Sequence, residues 1–264
     1  MSFVPLVPFS GYAGYMFLKR TLTAQQAAFS ATPEVTRDED YFRQKIGSVK
    51  TAEDLVGDRR LLGVALGAFG LDGDINNKFF LKKVLQDGTL NPDALANRLG
   101  SKEYLAFAKA FGFGDFSVPN TQLSDFPDQI ISAYKARSFE AAVGQQNDDM
   151  RLALNAEREL KALAQKSSSD ETKWFTVMGS APLRSVFEKA LGLPSGFGAL
   201  DLDQQLSIFR YKASRAFGDS RIDQFSEPEA MQKLVRTFLI RSEVLSGASS
   251  ISPAAMALQL LQSR

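Results

Sequence analysis

The chain has 264 residues, 44% hydrophobic and 23% charged, as in ordinary folded globular proteins. Its 31 basic and 30 acidic residues nearly cancel, and this balance argues against a binder of nucleic acid or of anionic membranes. Histidine and cysteine are absent, which excludes Ser-His-Asp triads, cysteine nucleophiles, disulfides and the usual zinc, haem and iron–sulfur sites. We therefore expect neither a metal nor another cofactor.

The first nine residues are apolar, but they lack the features of a cleavable Sec signal. Pro5 and Pro8 interrupt the stretch, and Lys19 and Arg20 follow it rather than precede it. No run approaches the ~18 apolar residues of a transmembrane helix. We expect no membrane span, and a location in the cytoplasm or outside the cell by a route without a cleavable Sec signal.

Helical periodicity continues through nearly the whole chain, and alternating β-branched runs are absent. Thr51 and Asp54 form a capping-box pattern, and Gly70 follows an apolar face as a helix-ending glycine should. The sequence predicts an all-α, multi-helical fold, with short helices around residues 55, 75–85 and 174. The other predicted helices are 11–31, 40–46, 58–69, 91–100, 101–111, 127–165, 182–192, 201–217, 227–245 and 252–261.

The longest helical pattern, 127–165, contains no proline and a single glycine. As one helix it would extend ~55–60 Å; a break within 144–149 is the alternative. We predict an N-terminal module over 1–120, a long helix or helix pair over 121–166, and a C-terminal module over 167–264. One continuous domain is the other interpretation.

A weak internal repeat supports two related modules. Residues 65–71 (ALGAFGL) resemble residues 187–193 (FEKALGL), and an acidic helix start follows each copy. The alternative is that two helices ending at glycine resemble each other by default. The i, i+3/i+4 spacing of apolar residues within capped segments predicts core positions, which are Leu62, Leu66, Phe69, Phe79, Phe107 and Phe111.

No motif indicates an enzyme. Asp72, Asp74 and Asn76 have the opening spacing of a calcium loop, but Asn77 and Lys83 stand where glycine and glutamate are required. No glycine cluster matches a phosphate-binding loop. The acidic pairs have arginine or lysine nearby, as on solvated helix faces. The sequence thus assigns no catalytic residue.

The N-terminal segment is the one candidate contact site. Apolar side chains lie there outside any amphipathic period, and two prolines favour an extended backbone. An extended apolar strip gains free energy only when it lies in a groove, which belongs either to the same chain or to a partner. The predicted contact residues are Phe3, Val4, Leu6, Phe9, Tyr12 and Tyr15.

Several segments resemble an alphaproteobacterial family known as domain of unknown function 1217. The similarity is specific in the first half of the chain and looser in the second. It implies an all-helical fold and an association with flagellar gene clusters, and it supplies no catalytic or ligand residues. The segments that carry it are 10–15 (SGYAGY), 17–21 (FLKRT), 25–29 (QQAAF), 40–42, 46–47, 51–56, 58–62, 68–71, 74–80 and 109–113.

The residues and the resemblance together favour a non-enzymatic structural, assembly or protein-interaction factor associated with the flagellum. A protein partner is expected; neither its identity nor the oligomeric state follows from the sequence. One alternative is a cytoplasmic helical adaptor or export chaperone, although such chaperones are commonly small and acidic. The other is an enzyme whose site uses neither histidine nor cysteine.

Overall fold

The structure, a computed structural model, describes the backbone of residues 3–250 and the side chains of residues 3–246. This part of the chain contains thirteen α-helices and no strand, so the predicted all-α class is confirmed. None of its helices combines the length and apolarity needed to cross a bilayer. The predicted helix 252–261 lies outside the described residues. The helices are α1 (Gly11–Ser30), α2 (Pro33–Lys45), α3 (Ala52–Gly57), α4 (Arg59–Phe69), α5 (Lys78–Asp87), α6 (Leu95–Arg98), α7 (Lys102–Phe111), α8 (Phe126–Gln146), α9 (Asp148–Ala164), α10 (Asp170–Gly179), α11 (Ala181–Leu191), α12 (Leu202–Phe217) and α13 (Pro228–Ser250).

The described chain forms two compact units. The first comprises residues 3–6, 20–146 and 179–181, and the second comprises residues 7–19, 147–178 and 182–250. Helix α8 therefore belongs to the first unit and α9 to the second. The predicted modules 1–120 and 167–264, and the alternative of one continuous domain, stay predictions.

Helix α4 is the centre of the first unit. Seven of its eleven residues are buried, and it packs against α2 and α8. The Asp58 side chain caps its first turn by accepting hydrogen bonds from the backbone N–H groups of Arg60 (2.9 Å) and Leu61 (3.0 Å). Gly70 ends it in the left-handed conformation, with φ of 72°. The predicted α4 therefore begins and ends where its capping residues indicate.

Aromatic rings fill the rest of this core. The rings of Phe107 and Phe111 have centroids 5.1 Å apart, and Phe111 lies equally close to Phe126. Phe69 is partly buried and lies edge-on to Phe107. Five of the six predicted core positions are thus confirmed, namely Leu62, Leu66, Phe107 and Phe111 as fully buried residues and Phe69 as a partly buried one.

The prediction that Phe79 belongs to the core is wrong, because its side chain is 81% exposed. Helix α5 begins only at Lys78, and its buried residues are Leu81, Val84 and Leu85. Phe79 precedes Leu81 by two residues, which is about 200° around the helix, so it faces away from the core. The neighbouring Phe80 packs edge-on against a tyrosine of α7 instead.

The long central pattern is a helix pair. Its two helices meet at Asn147, whose side chain accepts a hydrogen bond from the backbone N–H of Met150 at 3.1 Å. An asparagine in this position caps a new helix and thereby interrupts the previous one. The predicted alternative of a break within 144–149 is confirmed, and the single 55–60 Å helix is wrong.

The second unit has its own aromatic core around Trp174, the only tryptophan of the chain. Its ring is stacked on Phe209 (5.6 Å) and lies edge-on to Phe187 (5.2 Å). Its indole N–H donates to the backbone oxygen of Ser220 at 2.9 Å. A buried indole with a satisfied N–H stabilises the core without the cost of an unpaired donor.

The boundaries of α2 and α6 also differ from the prediction. Helix α2 begins at Pro33 rather than near residue 40, because proline suits the first helical turn. The helix predicted over 91–100 is reduced to α6 (Leu95–Arg98), because Asn91 closes a turn in which Ala94 N–H donates to its backbone oxygen at 2.9 Å. The capping box of Thr51 and Asp54 is confirmed.

Candidate functional site

The N-terminal segment begins in the first unit with an anchored stretch, residues 3–6. The Phe3 ring lies 5.7 Å from Phe29 and 6.4 Å from Phe139, with partial burial of its side chain. Pro5 is buried as well. Alternate residues of an extended chain point to opposite sides, so Phe3 and Pro5 fix one side of the segment on the body of the unit.

The backbone of this stretch is held by Gln25 of α1. The Leu6 N–H donates to Gln25 Oε1 at 2.7 Å, and Gln25 Nε2 donates to the Leu6 oxygen at 3.1 Å. Gln25 is itself oriented by a 2.8 Å hydrogen bond to the hydroxyl of Thr21, one helical turn earlier. One amide side chain therefore satisfies both backbone groups of Leu6, as a neighbouring strand would.

The opposite side of the stretch faces solvent. Val4 is 62% exposed and Leu6 is 59% exposed. The first unit itself thus supplies the predicted groove for Phe3 and Pro5. Val4 and Leu6 lie outside it and remain available to a partner. The sequence left open whether the groove belongs to the same chain or to a partner. Within this segment, every second residue lies against the same chain and the residues between them are free to contact a partner.

The segment continues in the second unit as residues 7–15 and enters helix α1. Ser10 donates its hydroxyl to Glu243 Oε1 at 3.0 Å. Gly11 has φ of 60°, and a Cβ there would lie 2.2 Å from Glu243 Oε2. A Cβ on Gly14 would lie 1.9 Å from the backbone oxygen of Phe9. Gly11 is favoured because its φ is positive, and Gly14 is required because the Phe9 backbone leaves no room for a side chain.

The remaining predicted contact residues differ in exposure. Tyr12 is partly buried, and its hydroxyl accepts a 2.8 Å hydrogen bond from Gln232. Tyr15 is buried; burial, and next the negative charge of Glu157, raise the pKa of its hydroxyl. Phe9 is exposed and lies edge-on to Phe17. Tyr12 and Tyr15 are therefore structural, and Phe9 is the exposed member in this unit.

A second candidate for chemistry is a serine, lysine and aspartate cluster in the second unit. The buried Ser242 hydroxyl donates to Asp149 Oδ2 at 2.5 Å and accepts from Lys189 Nζ at 3.2 Å. Lys189 also donates to Asp149 Oδ1 at 2.9 Å. Because the lysine donates to the serine oxygen, it cannot remove the serine proton. The cluster thus satisfies the buried Ser242 hydroxyl both as a donor and as an acceptor.

Two open clefts lie in the second unit. One, of about 410 Å³, is lined by Ser10, Gly11, Asp149 and Glu243 among others. The larger, of about 590 Å³, is lined by residues of the 217–233 region, including Asp219 and Arg221, which pair with each other. Part of their polar lining is already engaged within the unit, namely Asp149 and Glu243 in the smaller cleft and Asp219 and Arg221 in the larger one.

The sequence did not identify the residues that hold the segment. Gln25 and Glu243 lie 19 and 233 positions from their partners, and a glutamine or glutamate on a helix surface is ordinary. The signal that could have identified the turn is the pair Gly11 and Gly14, at the start of a helix where glycine is otherwise unfavourable.

Comparisons with known proteins agree with the helical fold. A family model described as "Protein of unknown function (DUF1217)" matches residues 68–231. The chain is also similar to the crystal structure of protein AGR_C_984 from Agrobacterium tumefaciens, at 27% sequence identity and a TM-score of 0.73. That similarity covers 91% of this chain and 98% of the other. Among curated proteins, none matches the chain.

Proposed function

The chain belongs to the DUF1217 family of proteins of unknown function, and from this premise we propose that it is a non-enzymatic assembly factor that binds another protein. The observation that carries the proposal is the N-terminal stretch 3–6, which is fixed on one side and apolar on the other. The setting we propose is the flagellum of the bacterium that carries the gene.

An anchored stretch is a better binding element than a free terminus. Phe3 and Gln25 already hold its backbone, so a partner that covers Val4 and Leu6 does not have to order the chain first. Termini are usually poorly ordered unless they are docked. Two exposed apolar side chains on such a fixed edge gain free energy when a partner buries them.

The test separates binding from folding. In the double variant Val4→Ser/Leu6→Ser, we expect motility on soft agar to be lost while the thermal midpoint of the purified protein stays unchanged, because both side chains face solvent. The matched control is Leu202→Ser, since Leu202 is equally exposed, at 60%, and lies in the second unit. We expect the control variant to swim normally.

A second variant tests the anchor. Gln25→Ala removes both hydrogen bonds to Leu6 and should lower stability by about 1 kcal/mol and reduce motility in part. Full motility of Val4→Ser/Leu6→Ser would contradict the role of this edge. Normal swimming after deletion of the whole gene would contradict the flagellar setting.

Localisation distinguishes the proposal from an adaptor or export chaperone. An assembly factor incorporated into the flagellum should be found with purified flagellar filaments or basal structures, whereas a chaperone should stay in the cytoplasmic fraction. The measurement is an immunoblot of both fractions and of the culture supernatant, with a cytoplasmic enzyme as the lysis control. Recovery in the cytoplasmic fraction alone would favour the chaperone.

A further inference from the structure

Helix α13 carries apolar side chains on two of its sides. The inward side belongs to the core of the second unit, and its fully buried residues are Leu234, Val235, Phe238 and Leu239. The other side carries Ile240, which is 44% exposed, and Val244, which is 65% exposed. These two residues are four positions apart, so they are neighbours on the helix surface. We call Ile240 and Val244 the α13 strip.

The charges beside the α13 strip do not have one sign. The exposed charged residues of α13 that border it are Lys233, Arg236, Arg241 and Glu243. Arg236 lies over the ring of Tyr12, 5.7 Å from its centroid, and Glu243 accepts a hydrogen bond from the Ser10 hydroxyl at 3.0 Å. Such a mixture favours neither an acidic nor a basic segment, so an occupant has to match the strip through apolar side chains.

The sequence that follows α13 has this character. Residues 251–264 read ISPAAMALQLLQSR and contain no charged residue before Arg264. Four of their apolar residues have the i, i+3, i+4, i+7 spacing of one helix face, and these are Ala254, Ala257, Leu258 and Leu261. Gln259 falls on the opposite face. The helix predicted from the sequence over 252–261 is therefore amphipathic, and its apolar face needs a surface to cover it.

The position of Pro253 allows that helix to return along α13. A proline disfavours the helical conformation of the residue before it, here Ser252, and connections of two to five residues commonly join antiparallel helices. Along the helix axis, Ser250 lies about 9 Å beyond Val244, and the eight residues after Pro253 extend about 12 Å. An antiparallel return therefore brings Leu261 to the level of Val244.

We propose that residues 254–261 pack antiparallel on the α13 strip of the same chain. Leu258 and Leu261 would cover Val244, and the two alanines of the same face would let the helices approach closely. This contact is independent of the N-terminal edge at Val4 and Leu6, and the inference does not rest on the proposed function.

The same chain is a better occupant than a second molecule. A connection of a few residues gives the segment an effective concentration in the millimolar range or above, whereas a separate partner has to lose its translational and rotational freedom on binding. A membrane fits less well, because helices that lie on membranes are rich in lysine and arginine on their polar face. The polar side of this segment carries Gln259 and Gln262 instead.

The test uses the absence of cysteine from the chain, because two introduced thiols can then form only the designed disulfide. In the full-length protein, we expect Val244→Cys/Leu261→Cys to form an intrachain disulfide on air oxidation at least about tenfold faster than Val244→Cys/Gln259→Cys, since only the first pair faces each other. Non-reducing electrophoresis and mass spectrometry measure the rates. Gln259 is the matched control, because it is closer to Val244 along the chain and an undocked segment would cross-link it at least as readily.

A second measurement uses the full-length protein without cross-linking. Val244→Ser and Leu261→Ser should each lower the thermal midpoint by about 2–4 °C, and the double variant should lose little more than either single one, because both changes remove the same contact. The matched control is Leu202→Ser, whose residue is 60% exposed on α12. Its effect should be near zero and additive with that of Leu261→Ser.

Four outcomes would overturn the proposal. Equal oxidation rates at positions 261 and 259 would show that the segment does not pack on α13 through its apolar face. A disulfide between two chains would assign the strip to a second copy. Unchanged midpoints in both serine variants would remove the contact altogether, and binding to lipid vesicles that Leu261→Ser abolishes would assign the segment to a membrane.

Discussion

One helix in each unit ends in the same way, and the first is α4. Its last residues lead to Gly70, whose N–H donates to the Gly67 oxygen at 3.3 Å, while the Leu71 N–H donates to the Leu66 oxygen at 3.0 Å. This pair of bonds is the Schellman motif, which satisfies carbonyls at a helix end. A Cβ on Gly70 would lie 3.3 Å from the guanidinium of Arg137.

In the second unit, α11 ends with the same bonds. The Gly192 N–H donates to the Lys189 oxygen at 3.1 Å, and the Leu193 N–H donates to the Glu188 oxygen at 2.9 Å. An arginine again faces the glycine, and here a Cβ would lie only 2.4 Å from Arg241 Nη1. A cation at a helix C-terminus is favourable because it lies near the negative end of the helix dipole.

The two helices differ before they end. Seven of eleven residues are buried in α4, but five of eleven in α11. The similarity between residues 65–71 and 187–193 is therefore accounted for by what a glycine-ended helix requires, namely an apolar turn, a left-handed glycine and a following leucine. The comparison leaves the duplicated module as a prediction, because common helix ends do not require common origin.

The largest expected effect compares the two cores. Phe111→Ala in the first unit and Trp174→Ala in the second should each cost about 3–5 kcal/mol, because both side chains are fully buried among other rings. Urea denaturation followed by far-UV circular dichroism measures the loss. The matched control is Phe79→Ala, for which we expect a change within about 0.5 kcal/mol, since the ring is exposed.

A loss near zero for Phe111→Ala would show that the aromatic cluster of the first unit does not contribute to its core. A loss for Phe79→Ala as large as for Phe111→Ala would instead contradict the orientation of helix α5 and restore the register predicted from the sequence.

The next effect compares the two helix ends. Gly70→Ala and Gly192→Ala should each cost about 1–2 kcal/mol, because a Cβ is unfavourable in the left-handed conformation. Gly192→Ala should cost slightly more, since Arg241 has to move, and the difference should disappear in the background Arg241→Ala. Thermal or urea denaturation of the parent, the three single variants and the two glycine variants in the Arg241→Ala background provides the measurement.

Gly47→Ala is the matched control for both glycines. Nothing lies within 4 Å of a Cβ at this position, and its φ is not positive. We expect its stability to equal or exceed that of the parent protein. Losses below 0.3 kcal/mol at both Gly70 and Gly192 would mean that the two helix ends relax without the left-handed glycine.

Local chemistry accounts for what the sequence predicted well. The helix ends at Gly70 and Gly192, the capping box at Thr51 and the inward face of α7 each depend on residues within one or two turns. The core prediction for Phe79 is wrong because the start of its helix does not depend on local residues alone. The start of α5 depends on a 3₁₀ turn at Asp72–Asp74 and on the tertiary contact of Tyr104 with Asp74, and within α5 Phe79 lies two positions, about 200° around the helix, from the buried Leu81.

The candidate surfaces were less predictable. The apolar N-terminal segment could be identified from its composition and prolines, but its division into anchored and exposed residues depends on Gln25. The junction of the loops after α5 and α7 depends on Asp115, whose carboxylate accepts hydrogen bonds from residues 25 and 26 positions earlier in the chain. The periodicity of a single sequence carries no information on such pairs, because it relates only residues within one or two helical turns of each other.

The smallest expected effect is the dependence on alkaline pH, for which we compare one tyrosine from each unit. Tyr104 in the first unit donates its hydroxyl to Asp74, and burial together with that contact raises its pKa to about 12. Tyr15 in the second unit also has a raised pKa, through burial and then the charge of Glu157. Both hydroxyls should stay protonated in the folded protein when an unfolded tyrosine, with a pKa near 10, has ionised.

The stability that Tyr104 contributes is therefore fully present below pH 10 and is lost as the pH rises from 10 through about 12. We expect Tyr104→Phe to be about 1 kcal/mol less stable than the parent at pH 7, the usual contribution of one hydrogen bond, and to lose less stability above pH 10. Urea midpoints at pH 7, 9, 10 and 11 measure the stability difference at pH 7 and the loss above pH 10.

Tyr15→Phe should reduce the alkaline loss as well. Because burial dominates at Tyr15, adding salt should change its contribution to stability less than that of Tyr104. Parallel pH profiles for the parent and both variants would contradict the raised pKa values.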